Sequence, residues 1–247
     1  DQAETFLLRL RRGSGGDGFG GIPSKRKITS LTGEYWLIRP MLNLSRNKLR
    51  HYLQERNISW LDDPSNQDQR FDRTKIRNAL QHFDKIGLSK SLLAKTANHM
   101  QRAKEVLDQQ VKELAQQICT CQMGDILINL PCFLEVHTEL QYRLFAKALR
   151  WVSSKIYNPK FAALVATLES VCDGKAQTLH GCYIAAKGRE IRIAREARAV
   201  LQEHHPFCSG LIWDQRWKID CLNSRSMTVC HVAPLGRTGA DWVRKRC

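Results

Sequence analysis

Between residues 89 and 118 the apolar side chains Leu93, Ala97, Met100, Ala103, Leu107, Val111, Leu114 and Ile118 recur in steps of three and four. That spacing predicts a single amphipathic helix, roughly 45 Å long at 1.5 Å of rise per residue. Whatever the chain folds into must bury one continuous stripe along this rod. Its other face carries Lys95, Arg102, Lys104 and Lys112 among Gln and Glu residues, the pattern of a solvated surface. Two more helices are expected over residues 137–157, with Leu140, Leu144, Phe145, Leu149 and Val152 inward, and over residues 160–172 after Asn158-Pro159. All three suit a helical bundle.

Upstream, Ala3, Phe6, Leu7 and Leu10 mark a helix running to about Arg12, with Asp1 either its cap or a residue inside a longer element. We expect the chain to begin inside an element. Gly13-Ser14-Gly15-Gly16-Asp17-Gly18 comes next, with Gly20-Gly21 and Pro23 close behind, and so much glycine lets backbone N–H groups approach an anion. After the basic run Lys25-Arg26-Lys27, Tyr35-Trp36-Leu37-Ile38 predicts a short strand ended by Arg39-Pro40. Ser45 should cap a helix through Arg56, with Leu49, Tyr52 and Leu53 inward and Asn57 as its stop. An extended piece over residues 58–61 leads into a polar loop over residues 62–70, and Ile76, Ala79, Leu80 and Phe83 mark the next helix. Alternation of strand, loop and helix suits an α/β nucleotide-binding domain. Beyond the bundle, residues 178–186 and 190–194 alternate like strands about Lys187-Gly188-Arg189. A last β-like region covers residues 211–229, with Trp213 and Trp217 expected in a core.

Charge narrows the partners. Lys and Arg total 39 against 24 Asp and Glu, a net charge of +15. A pI near 9.7 with that excess favours a polyanion, and nucleic acid above all. No apolar run approaches the length of a bilayer span, and no helix joins a dense basic face to a broad exposed apolar one, so no membrane partner is expected. The nine cysteines include no Cys-x-x-Cys pair and no zinc or iron–sulfur spacing, which points to free thiols in a reducing, cytoplasmic setting. Cys119 and Cys121, the closest pair, fall near the end of the predicted long helix.

Asp1 and Glu4, three apart, put two carboxylates on one face of the opening helix. Arg12 with Gly13, Ser14 and Gly15 at its other end can border a phosphate pocket, the loop supplying N–H donors and Arg12 a bidentate clamp. The string Asp1-Gln2-Ala3-Glu4-Thr5, the apolar helix and Arg12-Gly13-Ser14-Gly15 resemble a segment of the tRNA(Ile)-lysidine synthetase family, within the PP-loop ATPase superfamily. Asp63-Pro64-Ser65-Asn66, followed by Arg73 and Arg77 with Ile76 between, is similar to that family's second block. Arg39-Pro40-Met41-Leu42 and the helix from Ser45 stand in the same order, and the resemblance covers residues 1–83.

The resemblance implies a fold, a reaction and partners. The fold would be α/β, the remnant of a Rossmann-like PP-loop adenine-nucleotide-binding domain over residues 1–84. An α-helical tRNA-binding domain over residues 85–175 and a small β-containing C-terminal region over residues 176–247 would come after it. The family joins L-lysine to C2 of the wobble cytidine in the CAU anticodon of tRNA(Ile), through an intermediate adenylated by ATP. Asp1 and Glu4 become candidates to position the lysine amine and take its proton, or to hold Mg²⁺, above all through Asp1. Arg73 and Arg77 would bind phosphates or the departing AMP, or else pair with Asp62, Asp63 or Asp72. Asp63, Ser65 and Asn66 would shape the loop. Lys25, Arg26, Lys27, Arg143, Lys147, Arg150 and Lys187 are candidates to touch tRNA, and a homodimer is a further partner expectation. The family's Ser-Gly-Gly-x-Asp-Ser pyrophosphate loop occurs nowhere in these 247 residues. We therefore expect the chain to be cut ahead of Asp1 and not to adenylate by itself. The alternatives are another adenylating tRNA-modifying enzyme, such as a thiolase, and a non-catalytic tRNA-binding remnant.

Overall fold

The computed structural model describes residues 1–12, 16–30, 33–61, 68–201, 204–220 and 231–234. They fall into two compact units, Asp1–Leu107 and Asp108–Cys247.

In the first unit, α1 (Gln2–Arg11) and the short α2 (Gly16–Phe19) precede an antiparallel ribbon of β1 (Lys25–Ser30) and β2 (Gly33–Ile38). Helices α3 (Arg46–Glu55), α4 (Asp72–Lys85) and the start of α5 (Lys90–Ile118) complete it. Ala3, Ile76, Leu80 and Leu93 are the buried core where α1, α4 and α5 meet, with Phe6, Leu7, Leu8 and Phe83 against it. The sequence places all of these but Leu8 on the inner faces by helical period, whereas Leu10, expected with them, is 51% exposed. Phe6 and Phe19 add a tilted ring contact at 5.4 Å that ties α2 to α1.

The strand expectations for this unit need correction. Lys25-Arg26-Lys27 is part of β1, because pairing with β2 satisfies its backbone while long stems keep the charges in water. The only strands among the described residues of this unit are that antiparallel pair, so a parallel Rossmann-like sheet is not seen in them. Residues 58–61 form no strand, and Leu61 stands 99% exposed. Ser45 caps α3 as expected, its hydroxyl accepting from Lys48 N at 3.2 Å. Yet α3 buries none of its residues, and Tyr52 lies in the open beneath the Arg56 guanidinium at 4.5 Å.

In the second unit, α5 continues into β3 (Cys119–Gln122), then β4 (Asp125–Asn129), α6 (Leu130–Glu135), α7 (Thr138–Ser153) and α8 (Phe161–Cys172). Next come β5 (Gln177–Leu179), β6 (Cys182–Lys187), β7 (Glu190–Arg195) and α9 (Ala197–Val200). These strands form one antiparallel sheet in the order β3-β4-β7-β6-β5. Strand β8 (His205–Pro206) pairs with β11 (His231–Val232), and β9 (Leu211–Trp213) with β10 (Trp217–Ile219). Phe145, Leu149 and Val152 of α7, Leu164 and Leu168 of α8, and Ile128, Ile184, Ile191 and Ile193 of the sheet make one core.

The boundary between the two units falls within α5, at Leu107/Asp108. Helices α7 and α8 bury their apolar stripes against the sheet formed from both flanking segments, in one core. Cys119 and Cys121 lie in β3, directly after α5 ends at Ile118, and the Met123–Gly124 turn, at φ 50° and 80°, sends the chain back along β4. A second left-handed pair, His180–Gly181, divides the strand expected over residues 178–186 into β5 and β6. Burial pushes the Cys119 and Cys182 thiols up to about 11, which keeps them protonated and unreactive. Trp217 is not a core residue: it is 40% exposed, with the Arg216 guanidinium 5.7 Å from its ring. The part of the last β-like region over residues 221–229 lies outside the described residues.

Candidate functional site

A cleft of about 870 Å³ in the first unit gathers side chains from four helices. Helix α1 contributes Asp1 and Glu4, α3 contributes Arg46 and Arg50, α4 contributes Arg77, and α5 contributes Lys90 and Lys95. Carboxylates thus stand on one wall and cations on the others. Asn43, Leu44 and Ser45 bring the α3 N-terminus to the same space, where the helix dipole favours an anion.

The fixed point is the Glu4–Arg77 pair. Arg77 Nε donates to Glu4 Oε1 at 2.7 Å and Nη2 to Oε2 at 3.4 Å, a fork-like contact between residues 73 apart in sequence. The Glu4 side chain is 13% exposed and that of Arg77 31%, so the pair is better shielded from solvent than a surface ion pair. Asp1 sits at the N-cap of α1 without a side-chain cap hydrogen bond. Arg73, one turn before Arg77, is exposed and is not among the residues lining the cleft.

Arg12 is exposed at the far end of α1, 3.9 Å from Asp72, which Arg11 holds at 2.5 Å. Gly13, Ser14 and Gly15, and likewise Asp63, Ser65 and Asn66, lie outside the described residues. Residues 18–22 are bound to α1 through carbonyls as well as N–H groups. Arg9 Nη1 donates to Gly18 O at 2.8 Å and Gly21 O at 2.7 Å, while Gln2 both donates to Ile22 O and accepts from Ile22 N. Burial lowers the Arg9 pKa. A Cβ on Gly21, at φ 62°, would come within 2.5 Å of Gln2 Oε1, so this glycine serves packing.

Neither Gln2 nor Arg9 was singled out by sequence reasoning, nor were Arg46, Arg50 and Lys90, because each is ordinary in its own helix. The segment from Arg39 to Ser45 was the one available pointer to Arg46. Among the described residues no three His, Cys, Asp or Glu side chains gather as a metal-ligand set.

The basic residues expected to meet tRNA separate into different settings. Lys25, Arg26 and Lys27 lie exposed on β1, Lys25 Nζ 4.1 Å from the Trp36 ring centroid and Lys27 paired with Glu34 at 2.6 Å. Arg143 is buried in α7, its Nε donating to Glu139 Oε1 at 2.7 Å. The i, i+4 spacing from Glu139 and the apolar neighbours Leu144 and Phe145 were the signal for that role. Lys147 pairs with Asp108 at 2.8 Å. Arg150 reaches Asn158 Oδ1 at 3.5 Å. Lys187, at the β6–β7 turn, edges a shallow cleft of about 710 Å³ that also holds Asp125 and Glu190.

Residues 1–83 match the PP-loop domain family. The chain is 35% identical over 217 residues to the tRNA(Ile)-lysidine synthase of Ruegeria pomeroyi, covering 88% of this chain and 50% of that protein. Against the protein of the same name from Wolbachia pipientis it is 32% identical over 245 residues, covering 96% of this chain and 56% of the relative. A third, from Photorhabdus laumondii, is 37% identical over 125 residues, covering 47% of this chain and 27% of that protein. The chain spans about half the length of the first two relatives.

Proposed function

Because this chain is homologous to the tRNA(Ile)-lysidine synthases and its residues 1–83 belong to the PP-loop domain family, we propose that it is part of a ligase that joins lysine to a tRNA anticodon base. The C2 oxygen of the wobble cytidine in the CAU anticodon of tRNA(Ile) attacks the α-phosphate of ATP and expels pyrophosphate; the lysine ε-amine then attacks C2, forming the C–N bond as the C2–O bond breaks and AMP departs. The first unit would be the remainder of a Rossmann-like nucleotide-binding domain.

The observation that supports this reading best is the two-signed cleft organised by Glu4 and Arg77. Lysine carries an ammonium at each amine and one carboxylate, and tRNA and ATP bring phosphates. Carboxylates on α1 facing cations on α3, α4 and α5 complement both signs. An ε-amine has a reference pKa near 10.4, so it must lose a proton before it attacks. Glu4 is committed to Arg77, which leaves Asp1 as the group to position the amine and accept that proton. Arg77, with Arg46 and Arg50, would hold phosphate or the departing AMP, and Arg73 and Arg12 would act further out. Mg²⁺, where used, would arrive with the ATP phosphates. A thiolase-like reaction is less well supported, since among the described residues none of the cysteines lines the cleft.

Two measurements test this. The affinity of residues 1–247 for tRNA(Ile) should fall about tenfold or more between 50 and 200 mM salt, as phosphate contacts release counterions. A flat salt response would remove the RNA from the account. The same residues incubated with ATP and tRNA(Ile) should release no pyrophosphate, for want of the Ser-Gly-Gly-x-Asp-Ser loop. Robust release would show that adenylation does not need that loop.

A further inference from the structure

The β1–β2 ribbon has a feature that the fold does not use. Opposed residues of an antiparallel pair share a face, so the register puts Lys25, Lys27, Trp36 and Ile38 on one side and Arg26, Ile28, Tyr35 and Leu37 on the other. Both sides are open: Tyr35 is 52% exposed, Trp36 54% and Ile38 61%. A two-stranded ribbon is marginal by itself and ordinarily covers at least one face. Here large apolar and aromatic groups are left in water on both.

Charge and position say what covers them. Three cations against Glu34 leave the ribbon with a net positive charge, which suits a polyanion better than a protein surface. Lys25 over the Trp36 ring and Lys27 opposite it place cations around an aromatic platform, the combination that holds single-stranded nucleic acid. Arg39 anchors the base of the ribbon, its backbone N–H donating to Ser24 O at 2.7 Å and its Nη1 to Pro23 O at 3.2 Å. Leu42, four residues after Ile38 and so at most about 14 Å along the chain, already lines the cleft.

We propose that the β1–β2 ribbon is a stacking platform for unpaired nucleotides adjacent to the base held in the cleft, with Trp36 and Tyr35 as the stacking groups and Lys25 and Arg26 on the flanking phosphates. This rests on the reading of the chain as acting on tRNA, and it adds where the anticodon loop is gripped. Every base has a π-face, so the ribbon distinguishes a loop from a duplex and leaves base identity to the cleft.

The test compares residues 1–247 binding to a short RNA stem-loop with CAU in its loop and to a blunt RNA duplex of equal length, by fluorescence anisotropy. Trp36→Ala should weaken stem-loop binding about tenfold, the expected loss of one stacked base, and leave duplex binding unchanged. Trp36→Phe should restore most of the loss, and Lys25→Gln should weaken both RNAs and flatten the salt dependence. Unchanged stem-loop binding by Trp36→Ala, or an equal loss for both RNAs, would overturn the platform. So would a change of oligomeric state on light scattering without a change in RNA affinity, which would make the ribbon a contact between copies of the chain. If the wild-type chain bound neither RNA, the tRNA reading would fall and the platform with it. If Arg77→Ala lost stem-loop binding while Trp36→Ala kept it, the tRNA reading would stand and the platform alone would fail.

Discussion

On the proposed ligase reading, replacing Arg77 by alanine should lower lysine transfer to tRNA(Ile) roughly 100-fold or more, the order of loss seen when reacting groups are misplaced by an ångström. The substitution leaves the carboxylate of Glu4, 13% exposed, without the guanidinium that fixes it. It also takes a cation from the cleft. Stability should fall by about 1–3 kcal/mol, the cost of leaving a shielded polar group unsatisfied. Arg77→Lys should recover part of the stability but little activity, because an ammonium cannot reproduce the two-pronged contact. The double variant Glu4→Gln/Arg77→Met separates the roles. Removing both partners should return stability close to wild type, while transfer stays low. Unfolding midpoints in urea and labelled-lysine incorporation measure the two effects. Near-normal incorporation by the double variant would reduce the pair to a structural strut.

In the second unit the largest expected electrostatic effect is at Asp214. Its side chain is 4% exposed and receives Arg195 through Nε and Nη2 at 2.9 and 2.7 Å, with Arg216 Nη1 at 3.8 Å. Arg195 Nη1 also donates to Gly181 O at 3.0 Å, and Arg216 donates to Gly124 O. One carboxylate therefore balances two guanidinium groups that tie the β9–β10 turn to the turns before β4 and β6. Asp214→Ala should destabilise by about 3–5 kcal/mol, since it strands buried positive charge. It also removes a residue type that tolerates the left-handed backbone found here at φ 49°. Asp214→Asn keeps that tolerance and should cost less, which isolates the charge contribution. The urea midpoint of the second unit should shift without a change in slope. A loss under about 1 kcal/mol for Asp214→Ala would mean that solvent reaches the site and screens it.

Much of this protein could be read along the chain because the information was periodic. Leu93, Ala97, Val111 and their successors repeat with the helix, so the extent of α5 comes from local spacing, as do α4, α7 and α8. The Ser45 cap and the β6–β7 turn were legible for the same reason: each is decided by neighbours in sequence. Strand β3 was not. Cys119, Thr120, Cys121 and Gln122 have weak alternation and sit on an edge strand, and they become a strand because β4 offers its backbone a partner.

The site divides in the same way. Sequence alone determined that Asp1 and Glu4 share a helix face, that Arg73 and Arg77 share another, and that the chain carries a large positive excess, since helical period and composition need no partner. Tertiary structure decided that Glu4 meets Arg77 and that Arg73 does not line the cleft. It decided too that Arg143 is buried beside Glu139 while Lys25 stands over Trp36 in the open. The physical reason is common to all of these. A cation has no role until its neighbours set its exposure and its counter-charge, and for Arg77 that neighbour, Glu4, lies 73 residues away along the chain.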